Sequence, residues 1–196
     1  MASRFDIVSI RGLVIHSVVD DWNDPESVAH SISHSTTLVK KAASLLEERL
    51  RIKLFSLRVT LPPTPLGGEH TAKVLSEAVR KAEIDDNVYY GLLHIDASMA
   101  SPESIIKVLK LGPNIFASAS TSITSENVVK ILYEIAKSGS EMATRFAISI
   151  PGHVESPYFP AGSSLSSVTG LSASLLYPRL LENRNSIYEG FDDLYD

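Results

Sequence analysis

The sequence predicts an α/β protein in which strands and helices alternate around a mainly parallel sheet. Short runs rich in Ile, Val and Leu, which are typical of buried strands, alternate along the 196 residues with segments whose apolar residues recur at helical spacing. The segments between successive strands are long enough for crossover helices, which favour parallel neighbours and right-handed connections. We therefore expect the strands to end along one edge of the sheet.

Five strands are predicted, each followed by residues that end a strand or begin a helix. They span residues 5–15, 54–61, 88–95, 115–119 and 145–150. The second strand is closed by Pro62, Pro63 and Pro65, whose rings cannot continue a ladder, and a long mobile loop is expected after it.

The predicted helices begin at capping signals. Asp24-Pro25-Glu26 predicts a helix that runs to about Arg51, because Asp caps free amides and proline fits the first turn. Ser101-Pro102-Glu103 repeats this pattern for a helix that ends at Gly112. Further helices are predicted over 70–83, from 125 onward and over 172–182.

Domain organisation follows from the absence of a linker. No Gly/Ser/Pro-rich break interrupts the predicted elements, so residues 1–187 are assigned to a single α/β domain. Residues 188–196 mix acidic and aromatic side chains and are assigned to a C-terminal tail, which either frays or docks on a partner.

Charge and composition exclude several classes of function. The net charge of −5, without a Lys/Arg stripe, argues against a nucleic-acid-binding surface. No apolar run approaches the roughly 20 residues needed to cross a bilayer, and the first residues lack a signal-peptide pattern, so we expect a cytoplasmic protein without membrane contact. The absence of cysteine excludes disulfides, thiolate metal sites and cysteine nucleophiles.

Polar residues at strand ends are the candidate site residues, because ligands of parallel sheets bind at the carboxyl ends of the strands. His94 and Asp96 share one face of the third strand and form a candidate catalytic acid/base pair. The alternative is that Asp96 caps the next turn while His94 is hydrogen-bonded in the core. Arg58 lies on an otherwise apolar strand and requires either an acidic partner, such as Asp96, or an anionic ligand.

Four further residues are candidates for substrate binding: Ser118, Ser120, His153 and Tyr158. The two serines could cradle an anion, although capping and tight packing explain them equally well. Tyr158 lies in a proline-rigidified segment that forms either a pocket wall or an aromatic plug.

His30 and His34 share a helix face at a spacing that can hold a metal, but no third ligand is apparent. A polar helix surface explains them better, so no metal site is predicted. No particular cofactor is predicted either.

The runs 143–147, 157–160 and 170–178 resemble the archaeal branch of domain-of-unknown-function family 711, also called uncharacterised protein family 0210. Residues 57–63 and 115–118 fit the same pattern. The resemblance implies a fold similar to the α/β barrel of the pyruvate formate-lyase and anaerobic ribonucleotide reductase group, with this chain matching the N-terminal half. Glycyl radical chemistry is not implied, because it requires a cysteine.

A half barrel would expose unpaired edges and apolar surface, so the resemblance also implies a homo-oligomer or a second subunit that completes the barrel. The leading hypothesis is a subunit of a barrel-type α/β enzyme that binds a small anionic metabolite at the strand ends. Arg58 would hold the anion, and His94 and Asp96 would act as acid and base. The alternative is a non-catalytic assembly or regulatory subunit.

Overall fold

The computed structural model of the protein describes residues 9–82, 84–123, 125–154, 156, 158–163 and 167–176. The strands are β1 (Ser9–His16), β2 (Ser56–Thr60), β3 (Val88–Asp96), β4 (Ile115–Ser120), β5 (Phe146–Ser149) and β6 (Gly170–Leu176). The helices are α1 (Pro25–Leu50), α2 (Gly68–Ala82), α3 (Pro102–Leu109), α4 (Glu126–Lys137) and α5 (Ser140–Ala143), with a short 3-10 turn at Ala97–Met99.

All six strands form one sheet in the order β5-β4-β3-β2-β1-β6. Strands β1 to β5 are parallel and each lies beside its neighbour in sequence, whereas β6 is antiparallel to β1. Because every right-handed crossover steps in the same direction, α1 to α4 cover the same face of the sheet. The predicted α/β fold with a mainly parallel sheet is confirmed.

We call the side covered by helices the helical face. The core lies between this face and the helices, where apolar strand residues meet the buried stripes of the helices. Fully buried members of the core include Val59, Ile95, Ile115, Ile32, Leu75, Ile105 and Ile131. The opposite side carries Arg58, Thr60, Gly91, His94 and Ser118, and we call it the loop face because part of the segment 151–163 packs against it.

The predicted capping residues are confirmed at two helix starts. The Asp24 side chain accepts hydrogen bonds from the backbone amides of Glu26 and Ser27, at 3.0 and 3.2 Å. The Ser101 hydroxyl accepts a bond from the Ser104 amide in a capping box at the start of α3. Among the described ranges, no helix is both long enough and apolar enough to span a membrane.

Two sequence predictions are wrong. The segment after β2 is not a long mobile loop, because α2 already begins at Gly68 and the Thr64 amide donates to the His94 carbonyl at 2.8 Å. The second is the final helix, since residues 172–176 belong to strand β6. Ser174 is buried while Leu175 is exposed, a period-two pattern that pairing with β1 imposes. Residues 177–182, the first strand's residues 5–8 and the tail 188–196 lie outside the described residues.

A buried arginine joins β5 to the end of α3. Arg145 donates its Nη1 hydrogens to the backbone carbonyls of Leu109, Gly112 and Ile115, at 2.8, 2.8 and 3.0 Å. The last carbonyls of a helix have no partner within the helix, so the guanidinium gives the Leu109 carbonyl a donor and adds bonds to the carbonyls of Gly112 and Ile115. The side chain therefore stabilises the junction between α3, β4 and β5.

Replacing Arg145 with glutamine should destabilise the fold by about 3 kcal/mol, because buried carbonyls lose a charged donor. The free energy of unfolding would be measured in urea, with Arg80→Gln as the matched control. Arg80 lies exposed on α2 and donates to the Ser76 carbonyl of its own helix. Equal unfolding midpoints for the two variants would contradict this role of Arg145.

Candidate functional site

A register shift in β3 places His94, the central polar residue, on the loop face. Pairing with β4 shifts between Gly91 and Leu93, which leaves Leu92 unpaired. In a regular strand, residues 91 and 94 would point to opposite faces. A Cβ atom built on Gly91 would lie 3.1 Å from His94 Nε2, so the irregularity puts both residues on the loop face.

His94 is fully buried and hydrogen-bonded at both ring nitrogens. Its Nδ1 lies 2.7 Å from Ser118 Oγ, and its Nε2 lies 2.9 Å from Thr60 Oγ1 and 3.2 Å from the Gly91 carbonyl. Thr60 donates its hydroxyl hydrogen to the Gly162 carbonyl at 2.5 Å, so it accepts from Nε2–H. This assigns the Nε2–H tautomer to His94, with Nδ1 accepting from the Ser118 hydroxyl.

Burial is the main cause that lowers the pKa of His94 to about 3; the Gly91 carbonyl opposes this shift, and the charges of His153 and His16 contribute to it. The imidazole is therefore neutral at neutral pH, and protonating it there costs about 5 kcal/mol. The geometry favours the interpretation of His94 as a hydrogen-bonded core residue over its interpretation as an acid or base.

Asp96 lies at the exposed end of β3 and caps the turn that follows. One carboxylate oxygen, Oδ1, accepts from the Ser98 amide at 2.8 Å and from the Ser98 hydroxyl at 2.6 Å. These two bonds hold the pKa of Asp96 below its ordinary value. Its charge also acts on His153, whose pKa it raises against a larger lowering by burial.

His153 meets Ser120 at the carboxyl end of β4. It follows Gly152, which adopts a positive φ of 70° and donates its amide to the Thr121 carbonyl at 2.7 Å. The His153 Nε2 atom lies 3.0 Å from Ser120 Oγ. Ser120 is paired with Asp96 in the sheet register, so side chains of these three residues gather at the ends of β3, β4 and β5.

Tyr158 and Phe159 take different positions. Tyr158 is 57% exposed, whereas the Phe159 ring packs against two glycines. A Cβ on Gly91 would lie 3.2 Å from Phe159 Cζ, and one on Gly162 would lie 2.9 Å from Phe159 Cδ1. Sequence reasoning did not select Phe159 as a site residue. The signal that could have found it is Gly91, because a glycine inside an apolar strand indicates a close approach by another group.

Arg58 lies in a different place from the strand-end cluster. It lines a cleft of about 380 Å³ over the amino-terminal halves of β1 to β4, together with Arg11, Phe55, Ser56, Tyr89, Phe116 and Phe159. Its guanidinium carbon lies 5.4 Å from the centroid of the Phe159 ring. Burial lowers the pKa of Arg58, and the charge of Arg11 adds to this effect. The alternative pairing of Arg58 with Asp96, both described residues, is not formed.

The structure thus divides the predicted site residues, apart from the exposed Tyr158, into three groups. Ser118 and His94 lie in the buried network, and Ser120, His153 and Asp96 gather at the strand ends. Arg58 belongs to the cleft.

His30 and His34 are exposed and stacked on α1 with centroids 5.9 Å apart. No cluster of three metal-ligating side chains occurs among the described residues.

Comparison of the chain with known protein families finds no match, and a search of curated proteins finds none either. The geometry of these residues therefore carries the functional argument.

His94 should make stability depend on pH. Because its folded pKa is about 3, below the ordinary 6.5, the unfolded chain binds the extra proton between these values. The contribution of the neutral His94 ring to the free energy of unfolding is fully present above pH 6.5. It falls by about 1.4 kcal/mol per pH unit as the pH drops toward 3.

This dependence is measured as the difference in unfolding free energy between the wild type and His94→Gln. We expect urea denaturation to show this difference shrinking by about 3 kcal/mol from pH 7 to pH 4.5. A difference that stays constant over this range would show that His94 is not held neutral by burial.

Proposed function

We propose that the chain is a subunit of a barrel-type α/β protein that binds a small anionic metabolite with a flat apolar part. The binding site would be the cleft of Arg11, Arg58 and Phe159. The observation that carries this proposal is the meeting of two guanidinium groups and four aromatic rings at one cleft. The proposal moves the anion from the strand ends, where the sequence places it, to the amino-terminal halves of the strands.

The electrostatics of the cleft favour an anion. Arg58 is partly buried, and the lowering of its pKa by Arg11 reports repulsion between the two cations. A carboxylate or phosphate between them would offset this repulsion. It could also accept two parallel hydrogen bonds from a guanidinium fork, which is the strongest common geometry for such a pair.

The rings determine the rest of the ligand. Tyr89 and Phe116 meet edge to face at 5.8 Å, and Phe116 and Phe159 lie 5.2 Å apart between centroids. Such a wall favours a flat apolar group that can stack or pack edge-on. The cleft of about 380 Å³ falls within the range of small-molecule sites, which runs from about 300 to 1,000 Å³.

Arg58→Gln should weaken the binding of benzoate and phenyl phosphate on the order of 100-fold, because the variant loses a charged bidentate contact worth roughly 3 kcal/mol. Isothermal titration would measure the affinities. Arg80→Gln should bind as the wild type does, while acetate, without a ring, and benzyl alcohol, without a charge, should bind the wild type more weakly. Equal affinity of Arg58→Gln and the wild type for benzoate would refute the proposal.

A second candidate function, assembly, is favoured by apolar residues at both ends of the sheet. On α4, Val129, Leu132 and Tyr133 are 57%, 47% and 64% exposed. They lie on the flank away from α3, since Asn127 on the other flank bonds the carbonyls of Ala97 and Ala100. At the opposite end, Leu171 and Leu175 of β6 are exposed on the helical face.

We infer that two copies of the chain form a closed pair, in which β5 of each copy pairs with β6 of the other. Among the described strands, β5 and β6 each pair on one side only. Pairing β5 of one copy with β6 of another would lay the apolar flank of α4 over the uncovered side of β6. Such a contact would satisfy edge hydrogen bonds and bury apolar surface together.

The native mass tests this assembly. Light scattering should give twice the mass of one chain for the wild type and the mass of one chain for Leu132→Glu, because a buried carboxylate would oppose the contact. Phe55→Glu is the matched control, since Phe55 is 86% exposed but precedes β2, near the middle of the sheet. A single-chain mass for the wild type would contradict the assembly.

A further inference from the structure

Strand β4 carries two serine–histidine pairs on the loop face, two residues apart. Ser118 Oγ lies 2.7 Å from His94 Nδ1, and Ser120 Oγ lies 3.0 Å from His153 Nε2. The two pairs share the same chemistry but not the same surroundings. His94 has no exposed surface, whereas His153 is only half-buried and lies in the segment that leaves β5.

The second pair has the arrangement of a nucleophile and its base. A serine hydroxyl within hydrogen-bond distance of Nε2 can pass its proton to the ring, and Nδ1 is then left for an orienting or charge-balancing group. Asp96 supplies a negative charge that raises the pKa of His153. The three residues come from the carboxyl ends of three neighbouring strands, where parallel sheets carry their chemistry.

We propose that Ser120 is a nucleophile activated by His153, with Asp96 stabilising the imidazolium, and that this edge of the sheet transfers the acyl group of small esters. Ser120 is 2% exposed, so a substrate reaches it past His153 and Asp96 and has to be narrow. This site is separate from the arginine cleft and does not depend on the function proposed for that cleft.

The reaction runs in two balanced steps. Ser120 Oγ bonds to the ester carbonyl carbon while its proton passes to His153 Nε2, and the carbon–oxygen bond to the alcohol breaks as the alcohol takes that proton. Water then gives a proton to His153 and attacks the acyl carbon. The bond to Oγ breaks, Oγ takes the proton back from His153, and a carboxylic acid leaves. Asp96 keeps its negative charge throughout.

A small alkyl fluorophosphonate tests the nucleophile. Intact-protein mass spectrometry and peptide mapping of the wild type should show one adduct, on Ser120. The adduct should be absent in Ser120→Ala and should form at least 10-fold more slowly in His153→Gln. Ser149→Ala is the matched control, because Ser149 is paired with Ser120 on the neighbouring strand, and it should label at the wild-type rate.

The pH dependence of labelling tests the base. The rate should rise with pH through the pKa of His153, which burial holds below 6.5, and stay level above it. Asp96→Asn should move the midpoint of this rise to lower pH, because the variant loses the charge that raises the pKa. Circular dichroism would show that each variant is folded. The proposal is overturned if Ser120 of the folded wild type is not labelled, if Ser118 is labelled instead, or if His153→Gln leaves the rate unchanged.

Discussion

The buried neutral imidazole of His94 is the interaction on which the loop face depends. It accepts a bond from Ser118 on β4, donates toward Thr60 on β2, and thereby fixes the hydroxyl that holds the Gly162 carbonyl. A buried ring nitrogen left without a partner would cost about 1–3 kcal/mol. This cost holds β2, β3, β4 and the segment that contains Gly162 in one relative arrangement. The position of Phe159 follows from this arrangement, because its ring fits between Gly91 and Gly162.

One segment of the chain contributes to both proposed sites. Residues 151–163 bring His153 to the end of β4 and Phe159 to the wall of the arginine cleft. The sheet supplies the charged and hydroxyl groups, which a rigid scaffold holds in fixed register. The segment supplies the titratable ring at one site and the aromatic surface at the other. Both proposed sites therefore depend on the anchoring of that segment through Thr60.

The sequence predicts the positions of the first five strands along the chain and the helix caps, because these depend on local patterns such as Asp24-Pro25. It does not predict β6, whose two serines alternate with leucine and alanine and whose strand form depends on pairing with the distant β1. The strand-end rule correctly brings Asp96, Ser120 and His153 to one edge. It cannot separate Arg58 from them, because that separation depends on where Phe159 lies. Nor can it foresee the register shift in β3, which depends on tertiary packing around Gly91.

The antiparallel edge has a consequence for handling the protein. Ser9 at the start of β1 is paired with Leu176 at the end of β6, so the first and the last described strand residues meet at one corner of the sheet. This corner lies at the opposite end of the strands from His153 and Ser120. A fluorophore or a surface-immobilisation handle attached next to either strand end would sit beside the other. The strand ends of β3 to β5 would stay open to solvent and to ligand.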